Sequence, residues 1–287
     1  MTTTTTRDGV VYGMADAIYH SADMELSSTR AKAILKSPAT LQYELTHPKK
    51  PKAELDVGHA AHAKVLGVGA DVVVIPEDKL SATGSTNTNA AKAFIEDARS
   101  KGLVPIKKQT AAEVDAMAEA VLANAEAREL LEQLGNPEAS VFATDPDTGV
   151  RLRARFDYLP HESVKDPWCI DLKTIGTAAD DESFSKQVAN LGYDVQQEHY
   201  LHTYGLATGD FSARMKFIVV ESDPPHLVKV HELSNEFGEI GAARARKARH
   251  LFAEALSTGV WRGYEPSPLP LQPPLWHIYA NQELLQS

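Results

Sequence analysis

The chain has 287 residues, enough for one large domain with its own core or for two small ones. With 43% hydrophobic and 24% charged residues it has a globular composition, and no apolar run approaches the roughly 20 residues that span a bilayer. A net charge of −10 weighs against a protein that coats nucleic acid, because non-specific affinity for DNA comes from neutralising phosphates; a local basic channel is still compatible with an acidic exterior.

The threonine run from Met1 to Arg7 has no apolar stretch and reads as a disordered lead-in rather than a secretion signal, with residues 1–17 disordered or extended. The single Cys169 can form no internal disulfide and cannot by itself hold zinc or an iron–sulfur cluster. A reducing, cytoplasmic location is expected. Between Trp168 and Ile170, Cys169 reads as a small buried side chain and not as a nucleophile.

Leu26 to Glu44 carries a helical stripe at Ala31, Ile34 and Leu35, with Ser27 or Ser28 as cap and Pro38 as a break. The basic stretch Pro48 to Lys52 follows, then a helix over Glu54 to Leu66 and a β-branched run from Val72 to Ile75. After a polar loop at Ser85 to Asn89, helices are expected over 90–101 and 110–134. A capping box, Thr110-Ala111-Ala112-Glu113, would open the second. From residue 138 the period shortens to two. Residues 139–144 and 150–158 read as a hairpin turned by Asp145-Pro146-Asp147-Thr148-Gly149, and 168–174 as a third strand.

A helix over 182–207, strands at 215–221 and 227–233, and a helix over 235–256 complete the body. That last helix carries the basic groups Arg244, Arg246, Lys247 and Arg249, which read as a solvated face or as phosphate contacts. The proline-rich tail, residues 261–287, offers Leu269, Leu271, Leu275, Trp276 and Tyr279 for packing on the body or a neighbouring subunit. With no internal repeat and no linker, residues 18–260 are expected to form a single α/β domain.

The chemistry concentrates on two strands. Period-two alternation puts Arg151, Arg153, Arg155 and Asp157 on one face and Leu152, Ala154, Phe156 and Tyr158 on the other. The first face is either a solvated edge with Asp157 as an ion-pair partner, or a phosphate track leading to a carboxylate. On the next strand Asp171 and Lys173 point together, away from Ile170 and Leu172. They either neutralise each other or serve a purpose, since burying charges is costly without pairing or metal. An acid on one strand and acid-x-lysine on the next suit metal-assisted phosphodiester hydrolysis. Carboxylates hold a hard cation such as magnesium, and a lysine can orient water or stabilise developing negative charge.

Two helical signals stand beside this pair. Gln196 and Tyr200, at i and i+4, share one helix face, although Tyr200 alone reads equally as a core aromatic. His62 lies one turn after Gly58, whose place in a helix costs about 1 kcal/mol relative to alanine and suggests a close approach.

Taken in order, Gly58-x-x-x-His62, Glu138, Asp157, Asp171-x-Lys173 and Gln196-x-x-x-Tyr200 resemble the RecE (exonuclease VIII) nucleases, in the RecB-like branch of the PD-(D/E)XK superfamily. Leu26-Ser27-Ser28-Thr29 and Ser37-Pro38-Ala39 resemble the same family's N-terminal helical segment, so the likeness runs from about residue 18 to 235. The resemblance implies a restriction-endonuclease-like α/β core, a mixed central sheet flanked by helices. It implies that His62, Glu138, Asp157 and Asp171 gather around Mg2+, with Mn2+ as a substitute, that Lys173 is the catalytic lysine, and that Gln196 and Tyr200 position DNA or the site's network.

The implied activity is digestion of linear double-stranded DNA, 5′ to 3′, leaving 3′ single strands for a strand-annealing recombinase in a phage-type recombination system. A ring-shaped homo-oligomer, such as a tetramer, is implied too. The competing readings are a structure-specific endonuclease of the same fold and a catalytically inactive DNA-binding recombination protein. One cysteine excludes the iron–sulfur branch of these nucleases, and no Walker A, H-E-x-x-H or G-x-S-x-G pattern is present.

Overall fold

The computed structural model describes residues 8–20, 25–47, 53–69, 71–266 and 269–285. The threonine run and the basic stretch 48–52 lie outside the described residues. In chain order the elements are β1 (Gly9–Val11), α1 (Asp16–His20), α2 (Ser28–Lys36), α3 (Pro38–Thr46), α4 (Ala53–Leu66), β2 (Val72–Val74), α5 (Asn89–Ser100), β3 (Val104–Ile106), α6 (Lys108–Ala123) and α7 (Ala125–Glu132). The second half contributes β4 (Gly135–Thr144), β5 (Arg151–Pro160), β6 (Trp168–Ile175), α8 (Asp181–Leu191), α9 (Tyr193–Thr208), β7 (Arg214–Glu221), β8 (Val228–Glu232), α10 (Asn235–Thr258) and two short tail helices, α11 (Leu275–Ala280) and α12 (Gln282–Leu285).

Six strands make the central sheet in the order β1-β4-β5-β6-β7-β8. Only β6 and β7 run parallel, joined by the crossover through α8 and α9; the other neighbours are antiparallel. Apolar side chains of β6 and β7, Ile170, Leu172, Ile218 and Val220, pack under α4, α6 and α7. The alternate positions Cys169, Phe217 and Val219 pack under α8 and α9 with Phe184 and Val188. A third cluster joins α2, α9 and α10 through Leu26, Ile34, Val195 and Phe252. This is the expected mixed sheet flanked by helices, with its inner strands β4 to β7 largely buried and its edge strands β1 and β8 more open.

Three long expected helices are each broken, and every break has a local cause. Ser37 caps the restart at Pro38, its hydroxyl accepting from Thr40 N at 3.1 Å. Asn124 ends α6 and caps α7, accepting from Ala127 N at 3.0 Å. Gly192 ends α8 in the left-handed region, φ 67°, and lets α9 leave in a new direction. The capping box does not form. The helix starts earlier, at Lys108, so Thr110 lies inside it and Glu113 takes a hydrogen bond from Gln109 instead. The edge strand β1 and the short strand β3 carry no sequence signal that the pattern reading detects. Each is three residues long and is held by pairing with β4 and β2.

In α10 two of the four basic groups tie the helix to its neighbours, one to α9 and one to the β4–β5 turn. Arg244 clasps the buried Asp194 of α9 at 2.9 and 2.8 Å, and buried Arg249 faces Asp145 at 3.4 Å. The tail packs on the body at its start, where the Trp261 ring lies edge-on to Phe252 at 6.2 Å, and is exposed further on, Leu271 by 99% and Trp276 by 70%.

Candidate active site

Antiparallel pairing of Tyr158 with Ile170 sets Asp157 and Asp171 side by side on β5 and β6. The two strands part at this point. Instead of continuing the ladder, Leu172 N donates to Asp157 Oδ2 at 2.6 Å. On the other flank, Pro137 pairs with Tyr158 and Ala139 with Phe156, and Glu138 between them takes a left-handed backbone, φ 51°. A non-glycine residue there is strained, and such strain gathers at functional sites.

The local distortion also breaks the alternation expected along β5. Phe156 packs under α8 and α9, whereas Tyr158 packs on the opposite side with the cluster under α4 and α6. Asp157 is thereby turned toward α4, where His62 Nδ1 stands 3.4 Å from its Oδ2. Ligand atoms of His62, Glu138 and Asp157 all lie within 4.8 Å of one another.

Behind this trio, Asp171 is buried and Lys173 Nζ lies 2.5 Å from its Oδ2. Gln196 of α9 bridges the pair: Nε2 donates to Asp171 Oδ1 at 2.5 Å, and Oε1 accepts from Lys173 Nζ at 3.2 Å. The amide orientation follows from its two partners, since a carboxylate only accepts and an ammonium only donates. The ammonium also lies 4.7 Å from the centre of the Tyr193 ring. Tyr200, on the same helix, packs edge-on against Phe156 at 5.2 Å, with its hydroxyl bonded to the Ser28 side chain.

The electrostatics are those of a site short of positive charge. Burial first, and the Asp157 charge second, push the Glu138 carboxyl up to about 7. Burial, with the Asp171 charge added, holds Asp157 well above the usual carboxylate range. Burial works against the Lys173 ammonium, yet the Asp171 and Asp157 carboxylates outweigh it and raise Lys173 above its ordinary value. Asp171 Oδ2 is buried, and the Lys173 ammonium meets it at 2.5 Å. Crowded acids whose carboxyls are held above their usual range are what a divalent cation would relieve, and oxygen donors beside one imidazole fit a hard ion such as magnesium or manganese.

These groups line or back a cleft of about 450 Å³ whose walls include Tyr19, Ser28, Arg30, His62, Glu138, Asp157 and Tyr200. The three arginines of β5 approach it already engaged by the chain's own N-terminal segment. Arg151 pairs with Asp8, Arg153 donates to the Tyr19 carbonyl, and Arg155 pairs with Asp16 while donating to Ser140 Oγ at 3.0 Å. The Tyr19 ring lies 4.9 Å from the Arg153 guanidinium and 4.1 Å from that of Arg155. Residues from six elements thus converge: α1, α2, α4, β4, β5 and α9, with β6 behind.

Sequence reading does not single out Tyr19, Lys32 or Tyr193, and it marks Ser28 only as a helix cap and part of the N-terminal motif. Tyr193 had a usable signal, because it precedes Gln196 by three and Tyr200 by seven on one helix face. Tyr19 and Lys32 had none.

A mixed sheet with a parallel β6–β7 pair, an acid at the end of one strand and acid-x-lysine on the next define an α/β fold of the PD-(D/E)XK class. Comparison with known proteins agrees. The pattern of the PDDEXK-like domain of unknown function (DUF3799) matches residues 27–264, and the chain belongs to that family. No curated protein matches the sequence. Among solved structures, a candidate exonuclease from Eubacterium rectale superposes with a TM-score of 0.61 at 12% identity, covering 94% of this chain and 98% of that one. At that identity the likeness is one of fold. A phage-related exonuclease from Haemophilus somnus 129PT matches at TM-score 0.33 and 11% identity, over 83% of this chain and 97% of its own, too loosely to carry an argument.

Proposed function

We propose that the protein is a divalent-metal-dependent deoxyribonuclease that degrades linear double-stranded DNA from its ends, 5′ to 3′, leaving 3′ single strands for a strand-annealing recombinase. The observation that supports this reading is that His62, Glu138 and Asp157 gather at one cleft with Asp171 and Lys173 directly behind them, although 111 positions separate His62 from Lys173 in the chain. Asp157, Glu138 and His62 would hold the cation, with Asp171 beside them. When bound, magnesium or manganese polarises the scissile phosphate and lowers the pKa of coordinated water.

The chain's own groups do the rest. Lys173 places a fixed ammonium beside the phosphate and stabilises the negative charge that grows there as the diester is attacked. Gln196 keeps Lys173 and Asp171 in register, so it is a positioning residue. Tyr200 forms part of the cleft wall, tied to the first turn of α2. Arg151, Arg153 and Arg155 were expected to track phosphates. In the proposed enzyme they act at the rim of the cleft, in exchange with the Asp8 and Asp16 contacts. The RecE resemblance supports end-dependence, polarity and a ring-shaped homo-oligomer, and the exposed tail is the segment available for contact between subunits.

The test uses linear duplex labelled at either end, covalently closed circular duplex, and magnesium. Wild type should digest the linear form and spare the circle, with label loss from the 5′ end first. Cleavage of the closed circle would replace exonuclease with endonuclease. Undiminished activity in Lys173→Ala would remove the assignment of the site.

A further inference from the structure

A second cleft, of about 320 Å³, lies beside the first, between α2, the α8–α9 junction and α10. Thr29 lines both, so the two are contiguous around the first turn of α2. Its charged walls are Lys32, Lys36, Arg244 and Glu44. Arg244 is committed to Asp194. Lys32 is not: among the described residues it has no hydrogen bond or ion pair, and its Nζ lies 5.7 Å from the centre of the Tyr193 ring. Lys173 Nζ lies 4.7 Å from the centre of the same ring. The two ammonium groups are therefore no more than about 10 Å apart, and Tyr193 stands between the clefts.

A half-buried ammonium held without a counter-ion is costly, and the fold goes out of its way to keep it there. The Lys32 stem lies against the helix break at Gly192, where an added Cβ would meet Lys32 Cδ at 2.9 Å. Glycine at this point serves both the left-handed turn and the close approach of the lysine.

We propose that this cleft is a second phosphate-binding subsite, in which Lys32 takes a backbone phosphate of the strand being cleaved, a few nucleotides from the scissile one. Phosphates follow one another every 3.4 Å or so of rise along one strand, so a phosphate held about 10 Å away is a near neighbour along the strand. The missing counter-ion is then supplied by the substrate. Burial first and the Lys173 charge second draw Lys32 down to about 8, and an arriving phosphate would reverse that trend. Lys36, on the next turn of α2, continues the path outward. The assignment rests on the nuclease reading above and adds a contact that the catalytic residues do not make.

The test compares wild type, Lys32→Gln and Lys32→Arg. Equilibrium binding of a fluorescent duplex is measured in calcium at several salt concentrations, and cleavage is measured in magnesium. For Lys32→Gln we expect binding weaker by about tenfold and a salt slope shallower by roughly one unit. KM should rise more than kcat falls, with recovery in Lys32→Arg. Methylphosphonates, which remove one phosphate charge at a time, should reveal a position near the scissile bond that costs wild type tenfold and costs Lys32→Gln nothing further. A Lys32→Gln protein with wild-type slope and KM, or a methylphosphonate loss that simply adds to that of the mutation, overturns the subsite. If wild type fails to cleave in magnesium or manganese, the nuclease reading falls, while the binding slopes still decide the role of Lys32.

Discussion

At the scale of single residues the site is organised by repulsion. Glu138, Asp157 and Asp171 are crowded beyond what Lys173 alone neutralises, and the consequence is a pH dependence of definite sign. Glu138, raised to about 7 from an ordinary value near 4.5, binds its proton more tightly in the folded chain than in the unfolded one. Between those values the folded state holds more protons, so the metal-free protein should lose stability as pH rises from about 4.5 to 7. Asp157, also raised, adds in the same direction. A cation must displace these protons. Melting in chelator should therefore be highest near the acidic end of that window, and the rise in melting temperature on adding magnesium should be larger at pH 8 than at pH 6. An equal magnesium shift at both pH values would mean that Glu138 is not a ligand.

Gln196 gives the second residue-scale expectation. Gln196→Ala removes the bridge and leaves the acids and the lysine present, so kcat should fall about 10–100-fold with a smaller change in KM. Lys173→Ala should cost more. These roles were only partly legible in the sequence. Asp157, Asp171 and Lys173 could be picked out because strand alternation pairs Asp171 with Lys173 on one face. Alternation misplaced Asp157 relative to Tyr158, because the left-handed turn at Glu138 and the Leu172 N–H bond to Asp157 are products of three strands meeting.

At the scale of elements, helix breaks decide the geometry. Gly192 redirects the chain so that α9 lies across the sheet with Tyr193, Gln196 and Tyr200 toward the site. Gly192→Ala forces a side chain into the left-handed region and against Lys32, and should cost about 1–2 kcal/mol in denaturant unfolding. A stability unchanged within error would mean that the junction is not under this constraint. Asn124→Ala, which removes the cap of α7 and a bond from its Nδ2 to the Val228 carbonyl at 3.3 Å, should cost about 1 kcal/mol. Because α7 lies away from the cleft, that loss should leave kcat unchanged.

At the scale of the whole molecule, the body carries its own core, to which the tail adds Trp261, while Leu269, Leu271, Leu275 and Trp276 stay exposed. Deleting residues 269–287 removes side chains that are mostly exposed where described, and should leave the melting temperature within about a degree or two of wild type. If the tail joins subunits, the same deletion should lower the mass measured by light scattering. An unchanged mass would assign oligomer contacts, if any, to the body. The net charge of −10 does not contradict a DNA substrate, because basic side chains line both clefts and the acids crowd where a cation belongs.

What the sequence determined by itself is the set of chemistry-bearing residues and most of the elements, because periodicity, capping and acid-x-lysine spacing are short-range properties of the chain. Only the tertiary structure decided that the β5 arginines meet Asp8, Tyr19 and Asp16, that Lys32 has no ion pair among the described residues and shares the Tyr193 ring with Lys173, and that two clefts share Thr29 in their walls. Those outcomes depend on contacts between positions more than a hundred residues apart. No local pattern encodes them, since the free energy of each contact exists only once the sheet has brought its ends together.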